Sequence, residues 1–176
     1  DNWRDISTWP VSRRVADVVR KSAIRQKDPL EKGGLVGAFC RTYSIEEAIA
    51  QFLPDVYLPC DVPGRYTYAG GSTAAGAVVY EDKFLYSHHA TDPASGQLCN
   101  AWDAVRLHRF LDLDENKDPD TPAAKLPSYQ AMARLAMDDP RVRTTAVNDQ
   151  IADTGGDFDI VTDEDPDAWK KDLDLT

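Results

Sequence analysis

The chain has little of the chemistry that marks an enzyme. Its 176 residues include three histidines and three cysteines, Cys40, Cys60 and Cys99. Odd in number and widely spaced, the cysteines cannot all pair, and reduced thiols in an intracellular, cytoplasmic setting are expected. None of these residues sits in a recognised nucleophile motif, so no catalytic residue is expected. The glycines of "EKGGLVGAFCRT" are not followed by Lys-Ser or Lys-Thr, so they do not form a phosphate loop. No run of about 18 apolar residues occurs and no basic, apolar leader opens the chain, which predicts a soluble protein without a membrane partner. The first residue is Asp1 rather than Met, as expected of a piece cut from something longer.

Excess positive charge is also missing, but the shortage is uneven. The net charge is −10, yet residues 1–110 hold 13 Lys/Arg against 13 Asp/Glu. The excess of carboxylates therefore lies entirely in the last third. That third ends in "DTGGDFDIVTDEDPDAWKKDLDLT", where Gly155, Gly156, Pro166 and many carboxylates resist packing. One compact α+β domain over residues 1–145 is expected, followed by an acidic, flexible linker or tail over 146–176.

What the chain does have is periodicity. In "WPVSRRVADVVRKSAIRQ", Val11, Val15, Val18 and Val19 form one apolar helical stripe, with Pro10 in the first turn. Off the stripe lie Arg13, Arg14, Arg20, Lys21, Arg25 and Lys27 against Asp17 alone. Such a face pairs with phosphates, is simply solvated, or meets an acidic neighbour such as the tail. "EKGGLVGAFCRT" reads as a turn and an extended approach with Cys40 buried. Ser44 and Glu47 stand at capping-box spacing before a helix whose buried face is Ile45, Ala48, Ile49 and Phe52.

From "GRYTYAGGSTAAGAVVYEDKFLYSHH" a small antiparallel meander of three or more strands is predicted. Its strands lie at Tyr66–Tyr68, 77–80 and 84–86, and Gly70-Gly71 makes a tight connection. Asn100 caps a helix with Asp103 at its third position, carrying Trp102, Val105, Leu107 and Phe110 among Arg106, His108 and Arg109. A further helix starts at Ser128 and is bounded by Pro140, and a last one runs from Val142 to Ile151.

The segments "DPLEKGGLVGAFCRTYSIEEAI", "GRYTYAGGSTAAGAVVYEDKFLYSHHATDP" and "SGQLCNAWDAVRLHRF" resemble a region of phage and prophage DNA primase-helicases of the virulence-associated protein E type. The likeness covers roughly residues 3–145, and the acidic exit "DEDPDAWKKDLDL" resembles the approach to an ATPase domain. "LHRFLDLD" departs from a more usual glycine near position 111, which puts that helix end in doubt. The resemblance implies DNA replication, with this region between a primase-polymerase portion and the helicase. Neither engine is legible in this chain: there is no phosphate loop, and the acids of "DLDEN" lie in a Pro- and Asp-rich loop rather than on strands that hold two metals.

Two functions follow. The first is a non-catalytic accessory domain that contacts single-stranded template or primer. Its candidate residues are Arg13, Arg14, Arg20, Lys21, Arg65, Tyr66, Tyr68, His88, His89, Arg106 and Arg109, the tyrosines exposed for base stacking and the cations following the backbone. The second is a module that docks the flanking primase and helicase domains without touching DNA. In outline "YSHHATDPASGQLCNAWDAV" is similar to a primase zinc ribbon. A structural zinc takes four ligands, however, and His88 and His89 point to opposite faces of a strand. With Cys99 and Asp92 no fourth ligand is evident, so no metal or other cofactor is expected. A bland alternative competes: a histidine hydrogen-bonds into the turn, Asp92 forms an Asx turn, and Cys99 is a small buried hydrophobe.

Overall fold

A computed structural model describes residues 12–118 and 120–154. Pro10, Val11 and the tail beyond 154 lie outside them. Helix α1 (Arg13–Gln26) begins at Ser12, whose hydroxyl accepts from the Val15 amide. Its buried stripe is Val15, Val19 and Ala23, narrower than the four valines predict, and Val18 is 37% exposed. The helix packs on one sheet face, against Phe84, Tyr86 and Leu98.

Helix α2 (Gly34–Thr42) corrects the extended approach expected for "EKGGLVGAFCRT". Gly33 is its N-cap and Gly34, at φ 67°, makes the turn into it. The third glycine has a packing reason: a Cβ at Gly37 would run into the Lys32 carbonyl. Burial of Ala38, Phe39 and Cys40 outweighs the low helix propensity of three glycines. Helix α3 (Ile45–Phe52) forms the complete capping box of Ser44 and Glu47.

The sheet is an antiparallel meander of five strands in sequence order: β1 (Tyr57–Pro59), β2 (Arg65–Tyr68), β3 (Ala77–Tyr80), β4 (Phe84–Ser87) and β5 (Leu98–Cys99). The middle three were expected, and the two short edge strands were not. Glu81 and Asp82 turn β3 into β4 with φ of 53° and 51°. Asp82 offsets that strain by accepting from the first amides of α3, its carbonyl from Ile45 (3.1 Å) and its carboxylate from Glu46 (3.2 Å).

Strand alternation gives the sheet two different faces. One buries Tyr57, Tyr66, Tyr68, Ala77, Leu85 and Cys99 against the helical body. That body comprises α2, α3, α4 (Ala101–Phe110), α5 (Pro127–Asp138) and α6 (Pro140–Thr154). Trp102, 1% exposed, is the largest fully buried side chain among the described residues and meets Phe39 edge-on at 5.9 Å. The other face carries Phe84, Tyr86 and Leu98, covered by α1. Helix α6 is continuous across residue 146, where the tail was expected to begin. It is tied back by Arg41 to Asp149 at 2.5 Å and by a Thr42–Thr145 hydroxyl bond of 2.9 Å. Pro140 opens α6 as well as bounding α5. No helix among the described residues is long and apolar enough to cross a membrane.

Candidate functional site

The nominated residues fall on both faces of the sheet, and the structure separates them. On the inner face, Tyr66 and Tyr68 are not the exposed stacking rings expected. Both are half-buried against the core, because they share the strand face of Ala77 and Leu85. The Tyr68 ring lies 6.0 Å from Tyr57, 5.9 Å from His89 and 6.2 Å from His108.

His89, 3% exposed, is likewise removed from any surface role. The Tyr68 amide donates to its Nε2 at 3.3 Å, so Nδ1 carries the proton and donates to the Thr73 hydroxyl at 3.0 Å. Gly71 and Gly76 flank the ring: a Cβ at either would come within 2.7 Å of it. The glycine-rich loop thus wraps a histidine rather than a phosphate. Burial holds the His89 ring below the ordinary imidazole value, against the opposing pull of Asp92.

Below it lies a polar cluster that the sequence reading did not assemble. Asp92 accepts from the Tyr57 hydroxyl at 2.7 Å, and its other oxygen is 2.9 Å from His108 Nε2. His108 Nδ1 lies 2.8 Å from the Ala104 carbonyl. Both ring nitrogens therefore face oxygens, Nδ1 the Ala104 carbonyl and Nε2 the Asp92 carboxylate and, at 3.1 Å, the Tyr57 hydroxyl. Burial works against the Asp92 charge. Hydrogen bonds from His108, Ser87, the Ala94 amide and Tyr57 outweigh it and hold the carboxyl below its usual range. Asp92 also makes the expected Asx turn, accepting from Ala94 at 2.8 Å. A His-Asp pair suggests a general base, but the side chains are only 3% and 0% exposed, so substrate has no access. The cluster ties the turn between β4 and β5 to α4. The signal that links Asp92 to His108 is three-dimensional: 16 residues, with β5 among them, separate the two.

Arg106 is also engaged. It donates to Ser128 Oγ at 2.9 Å and lies 3.9 Å from Asp103 and from Asp114, with a side chain 15% exposed. It ties α4 to α5 and is not free to follow a phosphate backbone. Arg109 is exposed beside Phe110, 6.0 Å from the ring centroid. Cys99 is buried, and burial pushes its thiol far up. His88, His89 and Cys99 are not brought together, and among the described residues no three His, Cys, Asp or Glu side chains form a group able to hold a metal.

The outer face is different. Arg13, Arg14, Arg20, Lys21 and Arg25 are all exposed on α1, and the helix's single acid, Asp17, meets Arg20 at 3.2 Å. Arg65 shares this face of the sheet through the row Arg65–Val78–Tyr86–Leu98. It is half-buried, and one guanidinium nitrogen donates to the Ala75 carbonyl at 3.2 Å. His88 is exposed here, its ring 5.0 Å from Tyr86. Burial, then Arg65 and His89, hold it below the ordinary imidazole value, so near neutral pH it offers a ring rather than the expected cation. Arg13, Arg14, Arg20, Lys21, Arg65 and His88 thus lie on the outer side, whereas Tyr66, Tyr68 and His89 lie on the inner face, Arg106 is engaged between α4 and α5, and Arg109 is exposed on α4. No family model, curated protein or solved structure matches the chain.

Proposed function

We propose that this chain is a non-catalytic, nucleic-acid-contacting domain of a cytoplasmic phage-type DNA primase-helicase, and that α1 with the adjoining outer sheet face is the contact surface. The observation that carries the reading is the exposed basic flank of α1, five cations against one acid over Arg13–Gln26. The helix is anchored by its opposite side to Phe84, Tyr86 and Leu98, which holds those cations in fixed register. Cations so arranged follow a phosphate backbone and gain affinity by counterion release. Tyr66 and Tyr68, the rings expected to stack bases, lie on the inner face, and Tyr86 is buried at 7% exposure, which leaves the exposed His88 ring on this surface. That predicts weak base preference. The resemblance to primase-helicases supplies the setting, with single-stranded template or primer as the ligand.

The test is a fluorescence anisotropy titration with single-stranded and duplex DNA over a range of salt. The expected result is single-strand binding that weakens steeply with salt and is lost on combining Arg13→Glu, Arg14→Glu and Lys21→Glu. Absence of binding at low salt, with residues 155–176 removed to take away competing carboxylates, would sink the reading.

One observation favours the alternative, a module that docks the flanking primase and helicase domains. Beside α1 runs an apolar groove of about 480 Å³, lined by Ala16, Ala23, Phe84 and Leu98, with Ile24 74% exposed at its edge. Sedimentation of this chain with the helicase domain separates the two: a shift in size with indifference to DNA supports docking.

A further inference from the structure

A second concave site lies past the C-terminal end of α1, between the 27–33 loop and the adjoining parts of α4 and α5. It has a volume of about 690 Å³ and is lined in part by Lys27, Lys32, Asn100, Trp102 and Tyr129. Small-molecule sites run from about 300 to 1,000 Å³. Asn100 and Trp102 are each 1% exposed. The Asn100 Oδ1 caps α4, accepting from the Asp103 amide at 2.9 Å, which leaves its amide nitrogen as a donor. That nitrogen and the indole nitrogen of Trp102 have no hydrogen-bond partner. Buried donors are nearly always paired, and two orphans on residues that line one cavity call for an explanation.

Charge adds a second observation. Lys27 and Lys32 make no side-chain hydrogen bond or salt bridge among the described residues. Two of the carboxylates nearby are occupied: Asp28 holds Lys83 at 2.6 Å, and Asp103 faces Arg106 at 3.9 Å. Glu31 stands on the exposed rim. The wall also carries a ring able to lie against a planar ligand, Tyr129, 5.3 Å from the Trp102 ring.

We infer that this cavity takes one nucleotide, its base presenting an acceptor edge to Asn100 Nδ2 and Trp102 Nε1 and its phosphate meeting Lys27 and Lys32. Both donors are closed to bulk water, so part of the cavity wall must shift as the base enters. The source is a free nucleotide or one nucleotide of a single strand. The site is separate from the outer basic face of α1, and it stands or falls independently of that surface.

The test uses the full chain, ¹⁵N-labelled, with Trp3, Trp9 and Trp169 changed to Phe so that Trp102 gives the one indole N–H signal. Four nucleoside monophosphates, inorganic phosphate and a short single strand are titrated. A saturable shift of that signal and of the Asn100 side-chain amide with at least one monophosphate or with the strand is expected. Combining Lys27→Glu with Lys32→Glu weakens it about tenfold or more, while Lys117→Glu with Arg134→Glu, two exposed cations outside the cavity and outside α1, leaves it unchanged. Tighter response to the strand identifies a strand-borne base, and equal or tighter response to a monophosphate identifies a free nucleotide. The inference is overturned by no shift up to about 10 mM, weaker than any specific site, by an equal response to inorganic phosphate, or by an unchanged affinity in the lysine double variant.

Discussion

His88 and His89 are neighbours in the chain and opposites in environment. One stands on the outer sheet face beside the α1 cations, whereas the other is sealed between Gly71 and Gly76 and hydrogen-bonded on both nitrogens. The contrast extends to the whole sheet. On its inner face Tyr57, Tyr68, His89, Asp92 and His108 are joined by ring contacts and hydrogen bonds, and the Tyr57, His89, Asp92 and His108 side chains are almost closed to solvent. The outer face holds cations with few partners. Residue types that suggest chemistry are thus a structural brace on one side and an open surface on the other, and burial is what decides between them.

The largest effect is expected at the brace. Asp92→Ala leaves the His108 ring and the Tyr57 hydroxyl without their shared partner inside the protein. It should cost roughly 2–4 kcal/mol in urea unfolding, the usual consequence of leaving buried polar groups unsatisfied. A loss below about 1 kcal/mol would show that the cluster is open to water.

Next come the glycines. Gly76→Ala places a methyl against the His89 ring and should destabilise by about 2 kcal/mol, an overpacking cost. Gly37→Ala should do the same against the Lys32 carbonyl, despite the better helix propensity of alanine. Stability unchanged in both would mean that these loops adjust freely.

The pH dependence is smaller and has a definite sign. His88 and His89 are held below their ordinary value of 6.5, so the folded state binds fewer protons there than the unfolded chain. Their contribution is full above pH 6.5 and is lost as pH falls through the lowered values. A second loss follows at lower pH, because the Asp92 carboxyl is held below its ordinary 3.8. His89→Gln should remove much of the first loss, and an unchanged acid limb in that variant would contradict the assignment. The smallest effect is expected on the outer face. Arg20→Ala breaks an ion pair whose side chains are 72% and 57% exposed, and should change stability by less than about 0.5 kcal/mol.

Much of the fold is legible in the residues because it is local. Capping signals at Ser44 and Asn100, the Val15 and Val19 part of the α1 stripe and the three central strands are all short-range patterns, and each is present. "EKGGLVGAFCRT" misled because three glycines argue against a helix until Gly37 is seen to meet the Lys32 carbonyl, a contact set by tertiary packing. The edge strands are two and three residues long, too short to carry a period. For the site, the basic flank of α1 was readable because helical spacing shows it directly. Which face of β2 would be buried was not: alternation separates Arg65 from Tyr66 but does not say which side the helical body covers. Asp92 and His108 meet only through the fold.

The most direct test of the division between faces is chemical-shift mapping of the ¹⁵N-labelled chain with a short single strand at low salt. Shifts grouped on Arg13, Arg14, Arg20, Lys21, Arg65 and His88, with Tyr68, His89 and Arg106 unmoved, are the predicted result. Shifts centred on the inner network, or none anywhere on α1, would contradict the account.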